Sequence, residues 1–287
     1  MAHLIRIGSG TRWGHVLRKC AAEIHREIRV TVAPAARPEK WVFVVGCYNS
    51  GTTLIRKILG AHPSVSILPA EGQYLTDQFP SDHEIGLSRM WVEREDLYRL
   101  TENDDGPNVY RIKKEWATRL DRKRPIFLDQ TPANSARTRW LQRHFEPAYF
   151  IAMIRNGYAV AEGIRRKAQP IHRKSGWPIE MAARQWRRSN EILFEDAPLL
   201  RNLLWMKYED LATNPTRELT RLWEFLGLDK SSIPNPKLNW SVHERSQGIV
   251  NLNAESIGRL SRDDIMRINA EAGGLLAKTG YEELIPE

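Results

Sequence analysis

Beyond residue 40 the sequence alternates between short apolar runs and amphipathic segments. Trp41–Val45 is a continuous β-branched and aromatic run, which is typical of a strand buried on both faces. Further strands are predicted at Val65–Leu68, Pro125–Leu128, Tyr149–Ile154 and Leu203–Met206. Helices are predicted at Leu54–Leu59, Asn134–Phe145, Tyr158–Lys167, Ile179–Phe194 and Pro215–Leu226. Residues 70–124 are polar and weakly periodic and predict a helical and loop insertion. The alternation predicts a single α/β domain whose parallel β-sheet is flanked by helices.

The segment that precedes this core is basic and amphipathic. The apolar residues that recur at helical spacing are Trp13, Leu17, Cys20, Ile24 and Ile28. A proline-containing linker follows, so we divide the chain into a basic N-terminal helix and linker at 1–40 and a core domain at 41–287. The helix either packs on the core or contacts a membrane surface through residues 1–38. Glu23 and Glu27 interrupt its basic face, which favours packing.

Composition adds a charge constraint and excludes several classes of protein. The 287 residues include 43 Lys or Arg and 35 Asp or Glu, for a net charge of +8, so an anionic partner is expected. A hydrophobic content of 41% indicates a globular rather than a disordered or fibrous chain. No apolar run approaches the roughly 18 residues of a membrane span. Two cysteines cannot form a disulfide framework, and the N-terminus lacks the features of a secretory signal; both observations predict a cytoplasmic location.

A glycine-containing loop between the first strand and its helix is the strongest local signal. Its sequence, Gly-Cys-Tyr-Asn-Ser-Gly-Thr-Thr at residues 46–53, has the Gly-x4-Gly spacing of nucleotide triphosphatases. The backbone N–H groups of such a loop, together with the helix N-terminus, form a binding site for phosphate. Thr52 stands where those enzymes have a lysine for the β- and γ-phosphates. The loop therefore predicts a bound phosphate or diphosphate and argues against a kinase or ATPase.

A second anion-binding feature follows the fourth predicted strand. Arg155 ends that strand, and the next helix carries Arg165, Arg166 and Lys167. Because the carboxyl ends of parallel strands meet at one edge of a sheet, Arg155 and the loop at 46–53 are expected to face the same crevice. Two separate phosphate sites at one edge predict a nucleotide that is phosphorylated at both ends. A structural ion pair is the alternative role for Arg155.

These segments together resemble the sulfotransferases that use 3′-phosphoadenosine 5′-phosphosulfate (PAPS). The loop at 46–54 resembles the family's 5′-phosphosulfate loop, and Phe150–Asn156 resembles its 3′-phosphate strand and turn. Tyr208-Glu209-Asp210-Leu211 and the later Glu-Phe-Leu-Gly-Leu segment at 224–228 resemble its strand-to-helix signature. The resemblance covers residues 41–283. It implies a P-loop-like fold and sulfuryl transfer from PAPS, with 3′-phosphoadenosine 5′-phosphate (PAP) as product and without a metal. It also implies a small-molecule or glycan acceptor rather than nucleic acid.

The resemblance also assigns roles to individual residues, with two departures from the family pattern. The predicted donor-binding residues in the loop and on the later strands are Asn49, Ser50, Gly51, Thr52, Thr53, Leu54, Arg155 and Tyr208. The family usually has lysine or arginine where this chain has Asn49, which supplies hydrogen bonds but no charge. The serine expected eight residues after Arg155 is Gly163, which we keep in the predicted 3′-phosphate site as the position of a missing ligand. Arg259 is the predicted replacement.

Glu71 is the predicted catalytic base, and Asn49 is predicted to assist the departing phosphate. Glu71 follows the second strand, and sulfuryl transfer needs a base for the acceptor hydroxyl. In carbohydrate-type members of the family a glutamate after the second strand has this role, which favours a sugar or alcohol acceptor over a phenol. Asp129 ends the third strand and is predicted to order the site or receive a proton. Secondary candidates for the base, for anion binding and for the acceptor pocket are His62, His172, His243, Lys113, Lys114, Trp91, Trp116, Trp177 and Trp186.

Two other functions remain as alternatives. A P-loop-type nucleotide kinase would use the same loop, although it needs the lysine that Thr52 replaces. A non-catalytic relative that binds polyanions would explain the loss of two donor ligands at Asn49 and Gly163. Steep salt dependence of polynucleotide binding would identify the second alternative.

Overall fold

The core of the fold is a five-stranded parallel sheet in the order β2-β3-β1-β4-β5. The computed structural model describes residues 12–167, 177–242 and 245–285. The strands of this sheet are β1 (Lys40–Gly46), β2 (Val65–Ile67), β3 (Ile126–Gln130), β4 (Ala148–Ile154) and β5 (Leu203–Lys207). A small antiparallel hairpin, β6 (Trp240–Val242) and β7 (Arg245–Gln247), lies outside it. The predicted single α/β domain with a parallel sheet is confirmed.

Helices connect the strands and cover the sheet. The α-helices are α1 (Arg12–Val32), α2 (Thr52–Gly60), α3 (Glu95–Tyr98), α4 (Val109–Ala117), α5 (Thr138–His144), α6 (Gly157–Arg166), α7 (Ile179–Asp196), α8 (Tyr208–Thr213), α9 (Pro215–Leu226), α10 (Asn253–Ile257) and α11 (Arg262–Lys278). Short 3₁₀ helices lie at Gly72–Leu75, Trp91–Arg94, Pro132–Ala136, Ala197–Leu199 and Lys230–Ser232. Each connection after a central strand enters a helix directly, as a βαβ arrangement requires.

The alternation of side chains along β1 divides the core into two layers. Val42 and Val44 face α2 and α9 on one side, in a buried cluster with Ile55 and Leu222. Trp41, Phe43 and Val45 face the other side and pack with aromatic residues of α4 and α5. A third apolar cluster, built largely from α6, α7 and α11, lies beyond the carboxyl end of β4. All six residues of β1 after Lys40 are buried, which explains why its sequence shows no alternation of polarity.

The strand order places a crevice at the carboxyl end of β1. The chain passes from β1 to β2 at one edge, returns through β3, and then crosses to β4 on the other side of β1. The connections that follow β1 and β4 therefore run toward opposite edges of the sheet. Ligands in open α/β folds bind in the crevice where the direction of the connections reverses in this way. The predicted phosphate loop follows β1 and Arg155 follows β4, so both lie at this crevice.

Helix α1 packs on α4 through charged side chains. Arg26 contacts the buried carboxylate of Glu115 at 2.6 Å, and Arg111 contacts Glu27 at 2.7 Å. Lys114 also donates a hydrogen bond to the carbonyl oxygen of Thr31 at 2.6 Å. The favoured interpretation of the N-terminal helix, packing on the core, agrees with these contacts, while membrane contact and a cytoplasmic location stay predictions. Within the described part of the chain, every helix is too short or too polar to span a bilayer.

Two predicted elements differ from those in the structure. The helix predicted at Asn134–Phe145 is two elements, a 3₁₀ turn at Pro132–Ala136 and α5, because Arg137 has an extended φ of −142°. The side chain of Asn134 explains the break, since it bonds to both Asp129 and Arg137 and so fixes the turn above the sheet. The β6–β7 hairpin was not predicted, because its strands have three residues each and no alternating pattern.

Replacing Gly46 by alanine is expected to destabilise the fold by about 2 kcal/mol or more. Gly46 has φ 134°, and a methyl group there would collide with the carbonyl oxygen of Met153 on the neighbouring strand. Gly274→Ala is the matched control, because Gly274 lies within α11 where an added methyl group would meet no neighbouring element within 4 Å, and this variant should gain about 0.5–1 kcal/mol. Urea unfolding of the two variants measures both changes, and equal stabilities would contradict the expectation.

Candidate active site

The loop after β1 is held open for an anion by its backbone. Gly51 caps α2 in the left-handed conformation, with φ 96°, and a methyl group there would lie 2.9 Å from the ring of Tyr208. Asn49 also has a positive φ, 63°, which asparagine tolerates better than most residues. In the first turn of α2 the Leu54 N–H bonds to the carbonyl oxygen of Gly51 at 3.0 Å, whereas a helix leaves the N–H groups of its first residues, here Thr52 and Thr53, without a partner inside the helix. The hydroxyl of Thr52 accepts a hydrogen bond from Gln130 at 3.2 Å, which ties the loop to β3.

Arg155 is fixed beside this loop. It is only 8% exposed, and its guanidinium lies 4.2 Å from the centre of the Tyr208 ring. It donates to the carbonyl oxygen of Asn49 at 3.0 Å and to the side-chain oxygen of Asn253 at 2.8 Å. Its Nη2 is buried without a partner. Burial lowers the pKa of Arg155, although it stays far above neutrality. A buried cation with a free donor is suited to bind an anionic ligand.

Glu209, the glutamate of the Tyr-Glu-Asp-Leu segment, holds Arg155 in place through Asn253. One carboxylate oxygen of Glu209 accepts from the Asn253 amide at 2.6 Å and from the backbone N–H of Asn156 at 2.9 Å. The other accepts from the hydroxyl of Tyr281 at 2.9 Å. Tyr208 of this segment lines the cleft, whereas the contribution of Glu209 is indirect. Glu209 fixes the amide that in turn orients the guanidinium.

Asn253→Ala is expected to weaken anion binding at Arg155 roughly tenfold, since a hydrogen bond to a charged group contributes about 1.5–3 kcal/mol. The variant removes the acceptor for Arg155 Nε and leaves the guanidinium free to turn. Asn202→Ala is the control, because its side chain bonds to the carbonyl oxygen of Ala148 at the other end of β4. Calorimetric titration with a nucleotide phosphorylated at both its 3′ and 5′ positions measures the difference. Equal affinities of the two variants would show that Asn253 does not orient Arg155.

Glu71 is positioned by the end of β3. The backbone N–H of Gly72, the next residue, donates to Asp129 at 2.9 Å and to the Thr131 hydroxyl at 2.8 Å. The indole of Trp116 donates to the carbonyl oxygen of Gly72 at 3.2 Å. Asp129 is buried and also accepts from Thr131 and Asn134, so it orders the segment that carries Glu71 and does not reach the cleft.

The surroundings of the Glu71 carboxyl shift its ionisation. Burial, and then the nearby carboxylates of Asp82 and Asp129, raise its pKa to about 8, and Arg89 partly opposes this. Gln73 donates to one of its oxygens at 2.9 Å. A carboxyl group with a pKa near the working pH can take a proton efficiently and is a recurrent feature of active sites.

One cleft, of about 490 Å³, brings the predicted residues together. The predicted site residues that line it are Asn49, Gly51, Thr52, Thr53, Leu54, Glu71, Arg155, Gly163, Tyr208 and Arg259. Ser50 differs from the prediction, because its side chain is fully buried and its hydroxyl does not reach the cleft. The cleft receives residues from the carboxyl ends of all five strands of the sheet, as the topology predicts.

Several secondary candidates lie elsewhere. The indole rings of Trp91, Trp116, Trp177 and Trp186 are buried in the core and do not line the cleft. His62 accepts a hydrogen bond from the backbone of Ser64 and lies against Trp223, which fits the end of a helix rather than a base. Lys113 lies over the ring of Phe145, and Lys114 bonds to α1, so neither faces the cleft. His172 and His243 lie outside the described residues.

Arg259 reaches the cleft already paired with carboxylates. It lies 3.5 Å from the buried carboxylate of Glu162 and also contacts Glu255. Arg166, one turn after Glu162, pairs with the same carboxylate at 2.9 Å. Arg259 therefore lines the cleft with its charge shared between two carboxylates, and its role in place of the missing serine ligand stays a prediction. Among the described cations that line the cleft, Arg155 is the one with a buried donor that has no partner.

Several residues of the cleft were not among the predicted candidates, and Arg89 and Trp240 are two of them. Arg89 comes from the weakly periodic insertion, where no pattern marks it. Trp240 comes from the unpredicted hairpin, and its indole N–H is buried without a partner. Lys167, which belongs to the predicted second anion-binding feature, also lines the cleft, where burial and the neighbouring arginines lower its pKa to about 8. The ten tryptophans of the sequence suggested that some of them line a ligand pocket, but this count does not identify Trp240 as one of them.

The fold and this cleft define a class of protein. A profile of the sulfotransferase family matches residues 42–232, which is most of the chain. The chain belongs to the sulfotransferase family. The resemblance inferred from the loop, the Arg155 turn and the Tyr-Glu-Asp-Leu segment is confirmed at this level, and the fold of the family is P-loop-like. Among the described residues, no group of histidine, cysteine and carboxylate side chains is arranged to hold a metal ion.

Relatives and solved structures agree with this assignment. A putative protein-tyrosine sulfotransferase of Caenorhabditis briggsae is 26% identical over 200 residues, covering 67% of this chain and 67% of the relative. Protein-tyrosine sulfotransferase A of Caenorhabditis elegans is 24% identical over 268 residues, covering 86% of this chain and 68% of the relative. The sulfotransferase domain of the Synechococcus PCC 7002 olefin synthase superposes with a TM-score of 0.51 at 21% identity, covering 82% of this chain and 95% of that domain. The sulfotransferase domain of the curacin biosynthetic pathway gives 0.52 at 18%, covering 87% and 100%.

Proposed function

We propose that this protein transfers a sulfuryl group from PAPS to a hydroxyl group of an acceptor. The observation that carries the proposal is the meeting of three features in one cleft: the loop at 46–53, the buried Arg155 and the carboxyl of Glu71. The first two are anion sites separated along the sheet edge, as a nucleotide phosphorylated at both ends requires. The third is a base beside the first anion site.

The unpaired donors of the cleft support PAPS as the sulfuryl donor. Buried N–H groups without a partner occur on Asn49, Arg155 and Trp240, all of which line the cleft. Burying such groups costs free energy unless a ligand satisfies them. We assign Arg155, with Ser256 and Arg259 beside it, to the 3′-phosphate. We assign the loop N–H groups and Asn49 to the 5′-phosphosulfate, and Trp240 to the nucleoside.

Each residue then has a part in the transfer. Bound PAPS supplies a sulfuryl group joined through oxygen to a 5′-phosphate. Glu71 takes the proton of the acceptor hydroxyl while that oxygen bonds to sulfur. The loop N–H groups and Asn49 stabilise the negative charge that the broken sulfur–oxygen bond leaves on the phosphate, which departs as part of PAP. Donors already fixed in place need no reorganisation during the reaction, and this is the main source of their effect.

The acceptor is proposed at the level of its reacting group. A carboxylate base serves an aliphatic or sugar hydroxyl, which keeps its proton at neutral pH, and equally a phenol with a pKa of about 10. The two nematode relatives are named as protein-tyrosine sulfotransferases, so a tyrosine side chain joins sugars and alcohols among the acceptors to be tested. Release of PAP from PAPS with a tyrosine peptide, a disaccharide and a long-chain alcohol would rank these classes.

Calorimetric titration with PAP, beside ATP with magnesium, tests the donor assignment. We expect tight binding of PAP and little response to ATP, since Thr52 replaces the lysine that a triphosphate needs. Binding of ATP in preference to PAP would favour the nucleotide kinase. Failure of PAP to bind, combined with polynucleotide binding that weakens steeply with salt, would favour the polyanion-binding relative.

A further inference from the structure

The phosphate loop has no cation of its own. Residues 46–53 contain neither lysine nor arginine. When the sulfur–oxygen bond breaks, its electron pair stays on the oxygen of the 5′-phosphate, so negative charge grows at that atom. Backbone N–H groups carry only partial charges, and a full positive charge near the atom would stabilise the transition state considerably more. If this chain supplies one, it must come from outside the loop.

Arg89 reaches the loop from the insertion between β2 and β3. Its guanidinium Nη1 lies 3.4 Å from the side-chain oxygen of Asn49 and its centre lies 5.8 Å from the centre of the Tyr48 ring. The side chain is half-buried and lines the cleft with Glu71. Within the described part of the chain it forms no salt bridge with a carboxylate, unlike Arg166 and Arg259. Its charge is therefore available to a ligand.

The backbone around Arg89 is held in an unusual conformation that directs it there. Arg89 has φ 66°, which is uncommon for a residue with a long side chain. The backbone N–H of Arg89 donates to the buried carboxylate of Asp82 at 2.7 Å, and the preceding carbonyl oxygen, of Ser88, accepts from the indole of Trp177 at 3.1 Å. Strain of this kind is maintained only where the surrounding structure fixes it, and it occurs often at functional sites.

Asn49 and Gly163 form the other side of the same arrangement. A methyl group on Gly163 would lie 3.1 Å from Cγ of Asn49 and 3.3 Å from its amide nitrogen. The absence of a side chain at 163 thus leaves the space that the Asn49 amide occupies. From that position its oxygen faces Arg89, and its nitrogen is buried without a partner. The two departures from the family pattern, at Asn49 and at Gly163, therefore lie next to each other and form one local feature.

We propose that Arg89 supplies the positive charge at the 5′ end of the donor, where it stabilises the oxygen that leaves sulfur, and that Asn49 positions its guanidinium. The inference rests on the proposed function. It gives Arg89, a residue of the insertion, the role that a lysine or arginine in the loop usually has in the family. Arg89 would contact the 5′-phosphate and the sulfuryl oxygens, while Arg155 contacts the 3′-phosphate at the other end of the cleft.

Arg89→Met tests the assignment through ligands that differ at one end. We expect the variant to bind PAP about tenfold or more weakly, the loss typical of one charge-assisted contact. It should bind adenosine 3′-monophosphate, which lacks the 5′-phosphate, within about twofold of the unchanged protein. Unchanged binding of the 3′-monophosphate also shows that the variant is folded. Arg94→Met is the matched control, because Arg94 lies in the same insertion, pairs with Asp96 and is remote from the cleft. It should change neither affinity.

Two results would overturn the inference without touching the proposed function: unchanged PAP affinity in Arg89→Met, or an equal loss for both ligands. Arg89→Lys should recover part of the PAP affinity, because it keeps the charge and loses the fork geometry. The proposed function fails separately, if the unchanged protein binds no PAP. Turnover gives a second measurement, since removal of one donor to a developing anion typically lowers kcat by about 10²–10³.

Discussion

Glu71→Gln should lower kcat by about 10²–10⁴ while leaving PAP affinity nearly unchanged, as expected for loss of a general base. The amide has almost the same shape as the carboxyl and can keep the contact with Gln73, but it cannot take a proton. Glu84→Gln is the matched control, since Glu84 is an exposed carboxylate in the same insertion. Steady-state release of PAP in the presence of an accepted hydroxyl compound measures the effect. A variant as active as the unchanged protein would remove Glu71 from the mechanism.

The pH dependence of the same enzyme gives a separate test of Glu71. Burial raises its pKa to about 8, so at neutral pH most of the free enzyme carries a protonated, inactive carboxyl. The form that accepts a proton becomes populated as the pH rises toward that value. We therefore expect kcat/KM to increase from about pH 6 to about pH 8, because kcat/KM reports the ionisation of the free enzyme. Glu71→Gln should abolish this increase, and a variant that retains it would assign the ionisation to another group.

Sequence reasoning located the parts of the site that follow strands. The loop after β1, Arg155 after β4 and Glu71 after β2 each come directly after an apolar run, and parallel strands bring their carboxyl ends to one edge. The order of these segments was sufficient to predict both the sheet and the cleft. The local sequence pattern and the sheet topology agree here, so residues that are far apart in the sequence could be predicted to lie in one cleft.

The remaining residues could not be predicted, because their places depend on packing rather than on periodicity. Arg89 lies in a segment whose backbone is fixed by a buried aspartate and a distant indole, neither of which leaves a local pattern. Asn253 joins the site through a chain of hydrogen bonds from Glu209 to Arg155. In the sequence, Asn49 and Gly163 are two separate losses of an expected ligand residue. Only their proximity in the structure shows that Gly163 leaves room for the side chain of Asn49.

Arg155→Met should weaken PAP binding by about a hundredfold, because it removes a buried cation that offers charge-assisted hydrogen bonds to a phosphate. The loss should be much smaller for adenosine 5′-monophosphate, which has no 3′-phosphate. Some loss is expected even there, since Arg155 also donates to the carbonyl oxygen of Asn49 in the loop. Arg165→Met is the control: Arg165 lies on the helix that follows, pairs with Asp264 at 2.6 Å and does not line the cleft.

Comparing Arg155→Met with Arg89→Met distinguishes recognition of the 3′-phosphate from recognition of the 5′-phosphate. Arg155→Met should reduce PAP binding nearly to that of the 5′-monophosphate, whereas Arg89→Met should reduce it toward that of the 3′-monophosphate. An equal loss of both ligands in Arg155→Met would mean that Arg155 supports the loop and does not read the 3′-phosphate. Arg155 is buried against Tyr208 and held by Asn253, so its guanidinium is fixed at the cleft with Nη2 unpaired. Such preorganisation reduces the entropy lost on binding, which is why we expect this single guanidinium to have a large effect on the binding of a nucleotide with a 3′-phosphate.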